Sequence, residues 1–180
     1  MLKEIILLDL YRYSGKKDKK TLMYFLFFNP CFLFNYLFRK SKYSKICFIY
    51  RIVLRIVSTI LGIQISYKTQ IKEGFVIAHF GNIVINEKTE IGKNVNINTG
   101  VVIGRTNRGE KAGVPIIGNE VWIGANSIIV GKIVIGNNVL IAPGAYVNFD
   151  VPSNSIVLGN PGIIKENKLN ATEDYINKKI

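Results

Sequence analysis

Aliphatic residues recur at every sixth position through the middle of the chain. Ile85, Ile91, Ile97 and Ile103 hold the register, and after a break Ile117, Ile123, Ile129, Ile135, Ile141 and Val147 resume it. Gly92, Gly104, Gly118, Gly124 and Gly136 directly follow five of these anchors. Four residues after successive anchors stand small or apolar residues such as Thr89, Val95, Val101, Val121, Ser127 and Ala145. A helix repeats its buried face about every 3.6 residues and a strand every second residue, so neither produces this spacing. A short fixed period predicts a solenoid, and a period of six predicts a parallel β-helix, with three strand-and-turn units to each triangular coil. Ile65, Ile71 and Ile77 extend the register backwards, giving thirteen anchors from Ile65 to Val147 and four to five coils. The register breaks twice. Two extra residues enter at His79-Phe80-Gly81-Asn82, and residues 105–115 loop out between Ile103 and Ile117. Loops leaving a rigid scaffold at defined places commonly carry function.

The first sixty residues follow another pattern. Leu2 to Tyr13 predicts a short amphipathic helix, and Gly15 with Lys16–Lys20 an exposed basic loop. Leu22 to Phe38 is apolar and aromatic, but Asn29-Pro30 should break a helix there, since proline lacks the N–H that a helix interior uses. These 17 interrupted residues fall short of the ~20 that cross a bilayer. Arg39 to Lys45 reads as a second basic loop, and Ile46 to Ile63 as an apolar helix with Arg51 and Arg55 on one face. The helices are expected to pack on one another and over the open edge of the first coil, and to touch a membrane surface peripherally. The expected division is therefore a basic, apolar α-helical segment (1–60), a β-helix domain (61–165) and a polar C-terminal tail (166–180), the whole classed as all-β.

Charge sharpens this division. Residues 1–56 hold 12 Lys/Arg against 3 Asp/Glu, a net of +9; residues 57–180 hold 12 against 9, a net of +3; together they give the chain's +12. No recognition motif accompanies the basic residues, so nucleic acid is not an expected partner. A basic segment rich in Phe, Leu, Tyr and Ile suits an anionic membrane surface. Cys31 and Cys47 lie in apolar runs without metal-ligand or disulfide-framework spacing, and read as free thiols of a reducing cytoplasm. The opening twenty residues mix acids and bases, and no small-residue cleavage site follows the apolar run, which argues against a signal peptide. The expected location is cytoplasmic, at the inner face of the membrane.

His79 is the only histidine, and it falls in the first break of the repeat. An imidazole there is able to take the proton from a hydroxyl as that oxygen attacks a thioester. It is equally able to serve as a polar turn residue filling a bulge, and spacing alone does not separate the two.

The stretch Gly74-Phe-Val-Ile-Ala-His-Phe-Gly-Asn-Ile-Val-Ile85 resembles the catalytic coil of the hexapeptide-repeat acyltransferases, in their serine acetyltransferase-like branch. The likeness continues through Ile97-Asn-Thr-Gly-Val-Val-Ile-Gly104, Val121-Trp-Ile-Gly-Ala-Asn126 and Gly159-Asn-Pro161, and covers about residues 62 to 165. The resemblance implies a left-handed β-helix, acetyl-CoA as acyl donor, no metal, and a homotrimer with active sites between subunits. It makes His79 the general base. It assigns the cofactor's pantetheine arm to a groove lined by Gly104, Gly124, Ala125, Ala142, Pro143 and Pro161, positions that as small residues also make tight corners. Arg105, Arg108, Lys111 and Lys165 are candidates for the nucleotide phosphates, with Lys165 favoured for following the Gly-Asn-Pro turn. Asn82 and Asn98 either meet the acceptor or ladder inside the solenoid, and Trp122 reads as a face or subunit contact.

Two departures bear on the acceptor. Where serine acetyltransferases carry an aspartate that orients the histidine, this chain has Gln64, which hydrogen-bonds but does not stabilise an imidazolium as a carboxylate does. Where they carry an Arg-His pair before a proline, it reads Gly113-Val114-Pro115 and lacks that grip on a carboxylate. The expected activity is thus acetyl transfer to a sugar hydroxyl of capsule, lipopolysaccharide or exopolysaccharide. The alternative is a serine O-acetyltransferase of cysteine biosynthesis; a sugar N-acetyltransferase and a non-catalytic scaffold are further readings. A metal-dependent lyase on this scaffold needs three histidines, and the chain has one.

Overall fold

The structure, a computed structural model, describes residues 2–166 and 169–180. Four helices lead into the solenoid: α1 (Leu2–Ser14), α2 (Lys19–Phe28), α3 (Pro30–Tyr43) and α4 (Cys47–Leu61). The break between α2 and α3 falls at Asn29-Pro30, where the Asn29 side chain accepts from the Phe32 N–H and Pro30 occupies the first helical turn, the one place its missing N–H costs nothing. Gly62, in a left-handed conformation, ends α4.

The solenoid has three parallel faces. The first is built from β1 (Ile63–Ile65), β4 (Ile83–Ile85), β7 (Val102–Gly104), β10 (Ile128–Val130) and β13 (Tyr146–Val147). The second holds β2 (Gln70–Ile71), β5 (Glu90–Ile91), β8 (Ile116–Ile117) and β11 (Val134–Ile135). The third holds β3 (Val76–Ile77), β6 (Asn96–Ile97), β9 (Trp122–Ile123), β12 (Leu140–Ile141) and β14 (Ser155–Leu158), to which β15 (Ile163–Glu166) adds antiparallel. The sixfold anchors stack in register: Ile65, Ile85, Ile103, Ile129 and Val147 down the first face, and Ile77, Ile97, Ile123, Ile141 and Val157 down the third. Each is buried. The result is a left-handed parallel β-helix of about five coils.

The helices close the open edge of the first coil. A first coil has no predecessor, so its outward carbonyls need other donors. Lys42 Nζ donates to Thr69 O (3.0 Å), Arg39 to Ile71 O (2.6 Å) and Lys72 O (2.8 Å), Arg12 Nε to Gly74 O (3.2 Å), and Asn35 Nδ2 to Phe75 O (2.8 Å). Arg39, expected in a basic loop, is instead helical and 2% exposed, with Asp9 of α1 as its ion-pair partner at 2.7 Å. The sequence pattern misleads here because charge marks a loop only where the charge is solvated.

The stretch expected as a polar tail also differs. Residues 169–180 run back along the third face and bury Ala171, Thr172 and Ile176. Thr172 Oγ1 donates to Asn138 Oδ1 (2.7 Å), the Tyr175 ring lies 4.7 Å from Trp122, Arg12 donates to Asn177 O, and Asn94 Nδ2 donates to Ile180 O (3.0 Å). Trp122 therefore meets the chain's own C-terminal stretch. Isolated contacts of this kind leave no hydrophobic period to read.

Candidate active site

The first break in the repeat becomes a five-residue corner, Ala78 to Asn82, between β3 and β4. Gly81 and Asn82 both take positive φ, which glycine and asparagine accept most readily. The corner's backbone is fixed from two sides. From the helices, the Tyr13 hydroxyl accepts from Ile77 N (2.8 Å) and donates to Ile77 O (3.2 Å), and Asn35 Nδ2 donates to Tyr13 Oη (3.2 Å). From the second coil, Ala78 N donates to Ile97 O, while Gly100 N and Thr99 Oγ1 both donate to Gly81 O at 2.9 Å. The His79 side chain projects from this fixed backbone into solvent, with no hydrogen bond to any of the described residues. Cys31 lies beneath, against the Phe80 backbone. Burial pushes its thiol up to about 11, so it stays protonated and is no nucleophile at neutral pH.

The corner heads an edge that runs the length of the solenoid between the third and first faces. Asn98-Thr99-Gly100, Gly124-Ala125-Asn126, Ala142-Pro143-Gly144 and Gly159-Asn160-Pro161 succeed it, joined by Asn126 N to Thr99 O, Gly144 N to Ala125 O and Tyr146 N to Gly159 O. Four coil spacings make this edge roughly 20 Å long. Glycine recurs on it for a packing reason: a Cβ on Gly124 would come 2.5 Å from Pro143 N, and one on Gly100 1.9 Å from Asn126 Oδ1. The same smallness leaves a narrow surface on which a long, thin molecule is able to lie.

The expected site residues divide between two edges. Gly124, Ala125, Ala142, Pro143 and Pro161 share the edge of His79. Gly104 and Arg105 stand at the opposite edge of the first face, where residues 105–115 fold into a small hairpin closed by Thr106 and Gly113. That hairpin lies over later coils, through Lys132 N to Lys111 O (2.8 Å) and Lys111 Nζ to Asn148 O (3.0 Å). Within one chain the expected groove is therefore not assembled. Lys165 sits exposed on β15, beside Ile156.

Among the expected acceptor residues, Asn98 is spent on the backbone, its Nδ2 donating to Ile123 O (3.0 Å). Asn82 is exposed beside His79. Gln64 makes no hydrogen bond to His79 among the described residues. It lines a cleft of about 830 Å³ between α4 and the first face, with Arg51, Arg55, Ser58, Thr59 and Tyr67. The sequence reading missed Tyr13 and Asn35 beneath the corner, and Ser58 and Thr59 in the cleft. The latter pair, with Arg51 and Arg55, forms a polar stripe at helical spacing on an otherwise apolar helix, which was the available signal. No group of three or more His, Cys, Asp or Glu is placed to hold a metal among the described residues.

The pattern of the bacterial transferase hexapeptide (six repeats) matches residues 115–148. Serine acetyltransferase of Helicobacter pylori is 36% identical over 113 residues, 63% of this chain and 66% of that protein. The chain carries the bacterial hexapeptide repeat, and its relatives are serine acetyltransferases. Serine acetyltransferase 2 of Arabidopsis thaliana is 39% identical over 105 residues, 58% of this chain and 32% of the relative. The structure of the Neisseria gonorrhoeae serine acetyltransferase in complex with serine superposes with a TM-score of 0.72 at 25% identity, covering 91% of this chain and 69% of that one. The chain thus spans about two thirds or less of the curated relatives it matches. Both curated relatives and the solved structure are serine acetyltransferases by name, so the capsule and exopolysaccharide branch expected from the sequence gains no support from them.

Proposed function

We propose that the protein is an acetyl-CoA-dependent O-acetyltransferase with His79 as its general base. The observation that carries this reading is the sole histidine, exposed on a corner whose backbone is fixed from both sides, at the head of an edge of small residues. The neutral imidazole accepts the proton of the acceptor hydroxyl while that oxygen attacks the thioester carbonyl carbon. The C–S bond then breaks, the departing CoA sulfur takes the proton from the imidazolium, and the acetyl group stays on the acceptor oxygen. Gly124, Ala125, Ala142, Pro143 and Pro161 line the path of the pantetheine arm, where small side chains let it approach the backbone. A homotrimer supplies the remainder, setting Gly104 and Arg105 of one copy against the His79 edge of the next, with Lys165 available to the nucleotide phosphates.

Serine is the acceptor that the relatives favour. A second reading, a sugar hydroxyl, rests on two observations: Gln64 stands in place of an orienting carboxylate and makes no bond to His79, and Val114 stands where a carboxylate-gripping pair would be. Thiol release from acetyl-CoA, measured with L-serine and then with extracted cell-surface glycan, separates them. Release with serine establishes the first reading, and release with glycan alone establishes the second. His79→Ala is expected to lower either rate by roughly 10²–10⁴-fold while acetyl-CoA still binds. Full transfer by that variant would remove His79 from the reaction.

A further inference from the structure

α4 is apolar on both sides. Leu54 and Leu61 are buried against the core, with Tyr50 and Val57 packed beside them. The opposite side carries Phe48, Ile49, Ile52, Val53, Ile56 and Ile60, between 39% and 75% exposed. A helix at a water boundary turns polar residues outward, but the polar stripe of α4 (Arg51, Arg55, Ser58 and Thr59) leaves these six apolar side chains uncovered, and a contiguous exposed apolar patch marks a docking surface. α2 repeats the pattern, with Met23, Tyr24, Phe27 and Phe28 44% to 75% exposed and none of its residues buried.

Charge identifies the occupant. Lys16, Lys17, Lys19 and Lys20 surround the start of α2, Lys45 precedes α4, and Arg55 lies within it, all exposed. Of the three acids in residues 1–56, Asp9 is buried against Arg39 and Asp18 caps α2 through the Thr21 N–H. Packing two copies through this face would oppose two segments of net +9 each, whereas an anionic lipid surface complements both the charge and the apolar side chains. No single helix among the described residues is long and apolar enough to cross a membrane. α2 and α3 together pass such a test, but they meet at 109°, and Asn35 and Arg39 fix α3 to the first coil. The geometry suits lying on a bilayer, not crossing it.

We propose that the outward faces of α2 and α4 dock on an anionic lipid bilayer. The docking face ends beside the His79 corner, because Gly62, which terminates α4, packs against the backbone of Gly81 and Asn82, and Phe80 of that corner is itself 49% exposed. Docking therefore holds His79 near the bilayer surface, whichever acceptor it serves, and does not depend on the acetyl-transfer reading.

The test is co-sedimentation of the full chain with phosphatidylcholine vesicles, with and without phosphatidylglycerol. Binding is expected only with phosphatidylglycerol, and weaker in high salt. Replacing Lys16, Lys17, Lys19 and Lys20 by Gln, or making Ile52→Glu with Ile56→Glu, should each lower vesicle partition by at least about tenfold. Thermal unfolding reports whether each variant is folded, and the lysine set, confined to a solvated loop and helix start, carries the test alone if the glutamate pair unfolds. No binding to phosphatidylglycerol vesicles, equal binding to both vesicle types, or unchanged binding by the lysine variant overturns the proposal. So does sedimentation velocity showing that the glutamate pair splits an assembly that never bound vesicles, which would assign the face to a second copy.

Discussion

The solenoid and the helical cap are held together by opposite means. Between coils the contacts are generic: aliphatic anchors stack in register, and strand N–H groups donate to carbonyls of the neighbouring coil. Between the cap and the first coil they are singular, falling on the side chains of Arg12, Tyr13, Asn35, Arg39 and Lys42, which reach the coil's backbone. The comparison shows where damage should spread. A lost anchor leaves a hole that its neighbours share. A lost cap residue strands polar groups that no other residue is positioned to satisfy.

The largest effect that sharpens this contrast is expected at Arg39. Arg39→Ala leaves the Asp9 carboxylate buried without its cation and the Ile71 and Lys72 carbonyls without their donor. Removal of one partner from a buried pair costs about 3–5 kcal/mol. Urea unfolding should show at least that loss, and Arg39→Met combined with Asp9→Asn should recover part of it, because the stranded charge is then gone. If Arg39→Ala costs under ~1 kcal/mol on the same scale, the junction is as tolerant as the coils and the contrast fails.

The same contrast explains what was legible in the chain. The period of six named every inward column, because burial by repetition writes itself into the hydrophobic pattern: Ile65, Ile85, Ile103, Ile129 and Val147 are spaced in sequence as they are stacked in space. His79 was legible for a related reason, since a residue that interrupts a register is conspicuous. The junction was not. Arg39 and Tyr13 each reach backbone atoms over 30 residues away through a pair of individual hydrogen bonds, and no period accompanies such contacts. The division of expected cofactor residues between two edges was hidden likewise. Gly104 and Gly124 follow equivalent anchors, yet a coil has three corners, and the fourteen-residue step from Ile103 to Ile117 conceals which corner each occupies.

A smaller effect is expected at Tyr13, whose hydroxyl both accepts from Ile77 N and donates to Ile77 O, two residues before His79. Tyr13→Phe keeps the ring among Phe25 and Phe32 and deletes only the hydroxyl. Leaving a buried donor unpaired costs about 1–3 kcal/mol. Acting as a positioning residue, Tyr13 should also affect the proposed acetyl transfer, with kcat falling several-fold and KM little changed. Ile135→Val, buried on the second face far from the cap, costs about 0.5–1.5 kcal/mol and should leave kcat alone. Equal kcat values for the two variants would mean that the cap stabilises the first coil without positioning His79.

The smallest expected effect tests the coil side of the contrast, where side-chain pairs should matter little. Glu73, leaving the first coil, meets Lys93 of the second at 2.7 Å, with the lysine half exposed. The hydrogen bond from Lys93 holds the Glu73 carboxyl below its ordinary value of 4.5. A carboxyl with a depressed folded pKa contributes stability that is complete above the unfolded pKa and lost as pH falls through the folded one. The pair should therefore stabilise the protein fully at pH 7 and fade as the pH drops below about 4.5. Solvent screening limits it to under ~1 kcal/mol. Lys93→Ala should lower stability by that amount at pH 7 and by less in acid, so that the unfolding free energies of variant and parent converge as pH falls. A gap that persists undiminished below the folded pKa would place the effect of Lys93 in its packing on the coil, and a gap well above 1 kcal/mol would show the solenoid leaning on singular contacts much as the cap does.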